Sequence, residues 1–233
     1  YCGGKMEDRF EKELDEAVID IDLENIQTNN SIFYIVSKRI IDIIGSLAGL
    51  ILLSPLFLIV AILIKLEDPK GNIIFSHMRV GKDGKLFPCL KFRSMFANAE
   101  EMKKNFTEEQ KKEYEETFKL QNDPRVTKVG RFIRKTSLDE FPQLINILKG
   151  EMTLVGPRPI VTDELVFYGE YQRHYKSVKP GLTGLWQING RSDTTYDERV
   201  AFDMEYIRTR NILKDIKIII MTVLKVIKKE GAC

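Results

Sequence analysis

The chain has 233 residues, of which 30% are charged and 43% are hydrophobic, so it is neither a disordered tail nor a multi-span membrane protein. This length allows one domain with a substantial core, with or without appendages. The net charge of +2 conceals an asymmetry, because residues 1–31 carry nine acidic and three basic side chains while the remainder is net basic. A basic body favours an anionic partner such as a phosphate, a lipid headgroup or a nucleic acid.

Cysteine and histidine usage excludes several classes of site. The three cysteines lie far apart, which excludes a disulfide scaffold and a cysteine-rich zinc site and favours a reducing compartment. Only two histidines are present, which disfavours histidine-based metal or triad chemistry. Residues 1–31 are predicted to be an acidic leader or linker, which places the structured regions after them.

One apolar segment is long enough to enter a membrane. Between Asp42 and Lys65 lie 22 residues without a charge, and as a helix they would be about 33 Å long, enough to cross a hydrocarbon core of about 30 Å. Ser54 and Pro55 lie at its middle, where a proline removes a hydrogen bond and bends a helix. Both flanks are basic, which favours a cytoplasmic location of both ends. We therefore predict a re-entrant membrane hairpin over residues 32–66, with Ser54 and Pro55 at the break; a spanning helix and a buried soluble helix are the alternatives.

Residues 67–233 are predicted to form a small cytoplasmic domain. Asp83 and Gly84 lie between short apolar runs and predict a β-hairpin. The charged stretch 100–119 predicts solvent-exposed helix, with a capping box formed by Thr107 and Gln110. Together with the hairpin over residues 32–66, these elements predict an α+β, mostly helical fold.

The second half of the chain alternates helical patterns with Pro- and Gly-rich sequence. Residues 140–149 predict a short helix that ends at Gly150, with Leu144, Ile145 and Leu148 on one face. Residues 155–191 are predicted to form a rigid loop that shapes a ligand site. The last predicted helix has apolar residues at helical spacing and many lysines, which fits an interfacial amphipathic helix or a core helix equally well.

Asp139 and Glu140 stand just before Pro142, which belongs in a first helical turn. This spacing places Asp139 near the N-cap and Glu140 near the first helical position, where free N–H groups attract anions. Arg134 adds positive charge upstream, and a carboxylate beside cationic groups stays ionised and can be a nucleophile or a metal ligand. Helix capping explains the same pattern, because Ser137 and Glu140 have capping-box spacing. The pattern alone leaves both interpretations open.

Further cationic residues are candidate phosphate ligands. Arg158 lies between Pro157 and Pro159, which restrict the backbone and lower the entropy cost of bidentate phosphate binding, although a stiff surface turn has the same sequence. Lys91 and Arg93 are expected on one face of a strand, as phosphate ligands or as part of a solvated face.

A Gly-rich stretch contains the only tryptophan, Trp186, and Arg191. Trp186 could stack on a ring, but a place in the core or at a membrane interface is the stronger expectation. Arg191 is a candidate phosphate ligand, and an ordinary salt bridge is its alternative. Neither residue decides the function by itself.

These motifs, in this order, resemble the bacterial sugar transferase family, the monotopic phosphoglycosyl transferases. The resemblance covers residues 38–233. The insert near residues 100–125 and residues 161–165 resemble the undecaprenyl-phosphate galactose phosphotransferase branch. Where the family usually has leucine before the proline that follows the Asp-Glu pair, this chain has Phe141, a conservative change. The matching stretches are residues 38–42, 91–95, 134–144, 150–159 and 179–187.

The resemblance implies transfer of a sugar 1-phosphate from a UDP-sugar to a polyprenyl phosphate, with release of UMP. It implies that Asp139 is the nucleophile, which forms a phosphosugar-aspartyl intermediate, and that Glu140 is its partner, both near Mg²⁺. Galactose is the leading sugar and undecaprenyl phosphate the acceptor, with glucose or an N-acetylated sugar as alternatives. The residues implied to bind or position phosphate are Lys91, Arg93, Arg134, Arg158 and Arg191.

The same resemblance implies a monotopic protein on the cytoplasmic face of the bacterial inner membrane, acting in exopolysaccharide, capsule or O-antigen assembly, and a homodimer is left open. A rival function is a membrane-attached scaffold that binds anionic lipid through the basic body. It does not explain the Asp-Glu pair or the arginine between two prolines. Nucleic-acid binding is not expected, because the sequence contains no basic motif interleaved with aromatic residues.

Overall fold

The computed structural model of the chain describes residues 28–117, 120, 122–189 and 195–228, so most of the predicted acidic leader and Arg191 lie outside the described residues. The described part is mostly helical and contains four short strands, in agreement with the predicted mostly helical fold. The helices are α1 (Ile32–Glu67), α2 (Ala99–Met102), α3 (Glu108–Thr117), α4 (Lys128–Lys135), α5 (Gln143–Lys149), α6 (Gln172–Lys176), α7 (Leu185–Asn189), α8 (Tyr196–Thr209) and α9 (Ile212–Lys228). The strands are β1 (Ile74–Val80), β2 (Leu86–Phe92), β3 (Thr153–Val155) and β4 (Gly181–Thr183).

The predicted hairpin and the predicted capping box are both present. β1 and β2 form a two-stranded sheet, and the turn between them places Asp83 and Gly84 at φ values of 59° and 74°, a region that these residue types tolerate best. At the start of α3, the Thr107 hydroxyl accepts from the Gln110 amide at 3.2 Å, and the Gln110 side chain accepts from the Thr107 amide at 3.1 Å. Local sequence therefore determines both features.

Helix α1 is 36 residues long and is the one helix among the described residues that is long and apolar enough to cross a membrane. At 1.5 Å per residue it measures about 54 Å along its path. Many of its large apolar side chains are exposed from the first turn to the last, as for Ile32, Ile51 and Leu66. A continuous exposed apolar surface of this size marks contact with a membrane or with a partner.

The helix continues through Pro55, whereas the sequence predicts a break into two helices. Pro55 has no N–H to donate to the carbonyl of Ile51, four residues earlier. The hydroxyl of Ser54 donates to that carbonyl at 2.8 Å and replaces the missing bond. Because Ser54 satisfies the freed carbonyl, the proline does not have to end the helix.

The described residues form two compact units. In the first, which comprises residues 28–50, 77–89, 143–189 and 195–228, β3 and β4 pair in parallel, with Thr153 opposite Gly181 and Val155 opposite Thr183. This small parallel sheet is not predicted from the sequence, since its strands are only three residues long. The fully buried large side chains around it include Ile160, Tyr168, Tyr175, Leu185, Ile188, Met204, Tyr206, Ile207 and Ile218.

The first half of α1 is fixed to this unit by buried polar contacts. Lys38 donates to a carboxylate oxygen of Asp215 at 2.8 Å and to the carbonyl of Val155 at 2.8 Å. Asp42 accepts from the backbone N–H of Leu154 at 2.8 Å, and Arg39 donates to the carbonyls at the end of α5. Polar side chains in an otherwise apolar helix thus bind the folded body, and the partners satisfy their charge.

The second unit comprises residues 51–76, 90–117, 120 and 122–142. Its core joins the second half of α1 to the rest of the unit, because Val60 and Ile64 pack with Phe92 and Ile133. Glu67, the last residue of α1, accepts from two backbone N–H groups at the start of α4, at 2.6 and 2.9 Å. A carboxylate at a helix N-terminus satisfies donors that the helix itself cannot.

Two predictions about the region after residue 140 are wrong in detail. The α-helix begins at Gln143 rather than at residue 140, and its fully buried apolar residue is Ile147, whereas Ile145 is exposed. Residues 155–191 are not simply a loop, since they include β4, α6, α7 and a 3₁₀ segment over Thr162–Tyr171. Short helices without long apolar stripes leave too little periodicity to be recognised from sequence. The predicted C-cap at Gly150 is confirmed, with φ at 84°.

Helix α9 has one buried and one exposed apolar face. Ile218 is fully buried and Asp215 accepts a buried bond from Tyr206, so one face packs in the core. Leu213 is 79% exposed, and Ile216 and Ile220 are exposed near it. The core-helix alternative is therefore confirmed for the buried face, and an interfacial role of the exposed face stays a prediction.

Candidate functional site

Asp139 and Glu140 lie in a 3₁₀ turn over Leu138–Glu140, not at the start of an α-helix. Ser137, just before it, has φ at 56°, a left-handed conformation that costs energy for a residue with a side chain. The Ser137 hydroxyl makes no capping bond, so the capping box of Ser137 and Glu140, the alternative interpretation of this pattern, is not formed. Helix N-cap geometry, either for capping or for anion binding, is therefore a wrong interpretation of this pair.

The turn is held by the apolar residues on either side of the acids. Leu138 packs on the core of the second unit, which includes Val60 of α1. Phe141 lies against Phe57 of α1, with ring centroids 6.0 Å apart. The two acids are thus carried between two side chains that contact the apolar helix.

Lys91 and Arg134 supply positive charge to this turn. The ammonium of Lys91 donates to a carboxylate oxygen of Glu140 at 2.7 Å. The guanidinium of Arg134 donates to the hydroxyl of Ser94 at 2.8 Å, and its charge acts on Asp139. Four of the sequence-predicted site residues are therefore brought together within one unit.

The Asp139 carboxyl is half-buried and holds its proton more tightly than usual. Burial is the largest cause that raises its pKa to about 6, and the negative charge of Glu140 adds to it. Lys91 and then Arg134 act in the opposite direction without cancelling the rise. A carboxylate with a raised pKa is a stronger nucleophile than a solvated one and is typical of functional sites.

Arg93 is placed elsewhere in the same unit. Its guanidinium donates to the Asp68 carboxylate at 2.5 Å and to the Asp68 carbonyl at 2.6 Å, and the residue is buried. The shared strand face predicted for Lys91 and Arg93 is not seen, because β2 ends at Phe92 and Arg93 turns toward the loop that follows α1. Arg93 has a structural partner that sequence spacing could not indicate.

Arg158 belongs to the first unit, where it lies on Trp186. Its guanidinium carbon is 5.0 Å from the centre of the Trp186 ring, and Trp186 is mostly buried. Arg199, which the sequence analysis did not single out, lies 4.3 Å from the same ring. The spacing of Tyr196 and Arg199 on one helix face is the single local signal that could have drawn attention to it.

The pair of acids fits a magnesium ion shared with a phosphate. Mg²⁺ is bound by one or two carboxylates and completes its shell with waters and phosphate oxygens. Asp139 and Glu140 offer two carboxylates that repel one another, and in the described part of the chain no third acid, histidine or cysteine joins them. The donor set therefore fits an ion that arrives with a phosphorylated ligand, not a closed structural site.

A long, exposed apolar helix suggests membrane association, and a pair of acids beside cationic side chains is typical of sites for phosphorylated ligands. Comparison with protein families specifies the class further. The family model described as bacterial sugar transferase matches residues 33–229, and the chain belongs to this family.

Individual relatives agree with this assignment. The chain is 50% identical over 198 residues to the undecaprenyl-phosphate galactose phosphotransferase of Salmonella typhimurium, covering 84% of this chain and 41% of that protein. It is 48% identical over 200 residues to the exopolysaccharide production protein ExoY of Sinorhizobium fredii, covering 84% and 88%. It is 44% identical over 196 residues to the UDP-glucose:undecaprenyl-phosphate glucose-1-phosphate transferase of Escherichia coli K12, covering 81% and 39%. The chain thus spans less than half the length of two of these three relatives.

Proposed function

We propose that this protein transfers a hexose 1-phosphate from a UDP-sugar to undecaprenyl phosphate and releases UMP. Galactose is the proposed hexose, in agreement with the name of the Salmonella relative, whereas the name of the Escherichia coli relative makes glucose the alternative. The proposed role is an early step in assembly of a surface polysaccharide, since the Sinorhizobium relative is named for exopolysaccharide production. The observation that carries the proposal is the turn on which Asp139, with its raised pKa, lies beside Glu140, Lys91 and Arg134.

Asp139 is the proposed nucleophile. Its carboxylate oxygen attacks the phosphorus that bears the sugar, and the bond from that phosphorus to UMP breaks, with the electron pair leaving on UMP. A phosphate oxygen of undecaprenyl phosphate then attacks the same phosphorus, and the bond to Asp139 breaks, which regenerates the carboxylate. Division into two steps allows one site to serve two bulky substrates in turn.

Glu140, Lys91 and Arg134 have distinct proposed roles around this nucleophile. Lys91 and Arg134 bind oxygens of the transferred phosphoryl group, where added negative charge is stabilised. Glu140 holds Lys91 in position by their 2.7 Å contact. Asp139 and Glu140 would hold Mg²⁺, which, when bound, neutralises charge on the diphosphate.

The contacts of α1 support a re-entrant path through the cytoplasmic leaflet. Arg39 and Asp42, before the apolar segment, bind residues 147–154, and Glu67, after it, binds the start of α4. These partners all follow α1 in the chain, and the described residues after α1 contain no second helix able to cross a membrane. Both ends of the apolar segment then belong on the side of the folded body, and its basic flanks favour the cytoplasm.

The test of this function separates the donor step from the complete reaction. Purified full chain with UDP-galactose labelled in the sugar and no acceptor should acquire label on protein with a single release of UMP, and with undecaprenyl phosphate it should release UMP over many turnovers. A panel of UDP-galactose, UDP-glucose and UDP-N-acetyl sugars identifies the preferred donor. Asp139→Asn should abolish both signals, whereas Asp163→Asn, which alters an exposed acid, should leave them intact. Full turnover by Asp139→Asn contradicts the nucleophile, and absence of UMP release with every donor contradicts the function.

A further inference from the structure

We propose that Arg158 and Arg199, both lying on Trp186, form a phosphoryl-binding site in the first unit. The ligand is a phosphate or diphosphate anion. Arg158 is already a candidate phosphate ligand from the sequence, and Arg199 is the residue that the structure adds to it. Arg158, Trp186 and Arg199 all belong to this unit. Identification of its natural ligand rests on the proposed function.

Aromatic rings and guanidinium groups contact one another at this site. The guanidinium carbon of Arg158 lies 5.0 Å from the Trp186 ring centre and that of Arg199 lies 4.3 Å from it. Arg199 also lies 4.9 Å from the Tyr196 ring, which in turn is 4.3 Å from the ring of Phe167. A cation–π contact holds a guanidinium at the ring, and its N–H groups that point away from the ring can bind phosphate oxygens.

The positive charge of Arg158 acts on Arg199, so negative charge near the pair is favourable. Burial, and then the charge of Arg158, lower the pKa of Arg199 from its usual value, which reports first the cost of burying this cation and then the repulsion from Arg158. The Nε of Arg199 is buried and has no hydrogen-bond partner among the described residues. Buried polar atoms are normally paired, so a ligand oxygen would satisfy this donor.

The acids near this site are already engaged. Glu164 accepts from Arg79 at 3.2 Å. Asp203 is fully buried, accepts from the Tyr168 hydroxyl at 2.7 Å, and has its pKa raised to about 7 by burial, so it neutralises only part of the charge. The positive charge of the two arginines therefore exceeds the local negative charge, which favours an anionic ligand.

The backbone of Arg158 is held rigidly, as in a preorganised binding site. Pro157 and Pro159 restrict the chain on both sides. The hydroxyl of Tyr175, a buried residue, donates to the Arg158 carbonyl at 2.8 Å. Little conformational freedom is left to lose when a ligand binds, which favours affinity.

The chain provides its own reporter for this site, because Trp186 is the only tryptophan. The full chain in detergent is titrated with inorganic diphosphate in the presence of EDTA, so that no metal-dependent site contributes, and tryptophan fluorescence is recorded. We expect a saturable change in the wild type and at least about 10-fold weaker binding for Arg199→Gln, the usual effect of losing a charge-assisted hydrogen bond. Absence of a saturable change in the wild type overturns the proposal.

Arg208→Gln is the matched control, because Arg208 lies on the same helix and pairs with Glu205 at 2.7 Å. It should bind diphosphate as the wild type does. Arg199→Lys keeps the charge without the planar fork and should recover only part of the affinity. If Arg199→Gln fails to fold by circular dichroism, Arg199→Lys becomes the test. Wild-type affinity in whichever folded Arg199 variant is measured overturns the proposal.

Turnover kinetics distinguish the two sources of phosphate. In Arg199→Gln, an increase of about 10-fold or more in KM for the UDP-sugar assigns the site to the donor, and the same increase for undecaprenyl phosphate assigns it to the lipid. No change in either KM overturns the proposal. If the wild type releases no UMP from any donor, the proposed function fails, but the diphosphate titration still tests the arginine pair.

Discussion

The ammonium of Lys91 lies 2.7 Å from a carboxylate oxygen of Glu140, and 49 residues separate them in the chain. This contact engages the acid next to Asp139, while burial, and then the charge of Glu140, raise the pKa of Asp139 itself. Two neighbouring acids thus have different environments on one turn. Such a division is typical of paired catalytic carboxylates with different roles.

The first prediction concerns the pH dependence of the donor step. Because the pKa of Asp139 is about 6 and the ionised form is the nucleophile, kcat/KM for UDP-sugar should fall as pH decreases through about 6. In Lys91→Met the positive charge that lowers the pKa of Asp139 is lost, so the acid limb should move to higher pH. UMP release measured between pH 4.5 and 8.5 checks both statements.

Lys112→Met is the control for that experiment, since Lys112 is an exposed lysine on α3. It should retain the wild-type profile. An unchanged acid limb in Lys91→Met would show that Lys91 does not act on Asp139, whatever its effect on the rate.

The second prediction concerns stability. Because the folded-state pKa of Asp139 is raised from 3.8 to about 6, the folded state binds a proton more tightly than the unfolded state, and the free energy of unfolding decreases as pH rises from about 4 to 6. Asp139→Asn lacks this penalty. It should increase the free energy of unfolding at pH 7.5 by about 2 kcal/mol, a value reduced for partial solvent screening.

Denaturant unfolding in detergent at pH 7.5 and pH 4 measures this difference. The gain should be nearly absent at pH 4, where Asp139 is protonated in the folded state. Asp163→Asn, at an exposed position, should show no gain at either pH. A gain that is equal at both pH values would disprove the electrostatic explanation.

The third prediction concerns the path of α1. With the native cysteines replaced, a single cysteine is placed at Ser31 or at Lys70, both exposed, and is treated with a membrane-impermeant maleimide in intact cells and in inverted vesicles. The two positions should give the same result as each other in each preparation. Both should be protected in cells and labelled in vesicles, because both ends are proposed to face the cytoplasm. Labelling of one end in each preparation would establish a spanning helix and contradict the re-entrant path.

The fourth prediction concerns the proline in α1. The Ser54 hydroxyl bonds to the Ile51 carbonyl that Pro55 leaves without a donor. Ser54→Ala should therefore decrease the free energy of unfolding by about 1 kcal/mol, whereas Ser54→Thr, which keeps the hydroxyl, should cost less. In the double variant with Pro55→Ala, loss of the hydroxyl should have little effect, because a backbone N–H is restored. Equal costs of Ser54→Ala in both backgrounds would show that the hydroxyl does not replace that bond.

The fifth prediction concerns packing beneath the site. A Cβ at Gly130 would overlap the backbone carbonyl of Ser94, whose hydroxyl binds Arg134. Gly130→Ala should decrease the free energy of unfolding by about 1–3 kcal/mol, as overpacking does, and should lower kcat by displacing Arg134. Lys128→Ala, at an exposed position of the same helix, should do neither. Wild-type stability and kcat in Gly130→Ala would contradict this packing.

Local features of this protein follow from the sequence because neighbouring residues determine them. The length of α1, the hairpin at Asp83 and Gly84, and the helix end at Gly150 depend on apolar runs and on backbone preferences of single residue types. The role of Ser54 beside Pro55 is also local, since donor and acceptor lie within one turn of helix. The family motifs are long and occur in a fixed order along the chain, so they too can be recognised without a structure.

The partner of each charged side chain was decided only by the tertiary structure. Arg93 binds Asp68 although spacing suggested a common face with Lys91, and Arg158 and Arg199, which are distant in the chain, both contact Trp186. Sequence spacing identifies residue types suited to phosphate chemistry. Which of them face a ligand and which neutralise one another depends on packing between distant segments, because burial and Coulomb interactions act through space and not along the chain.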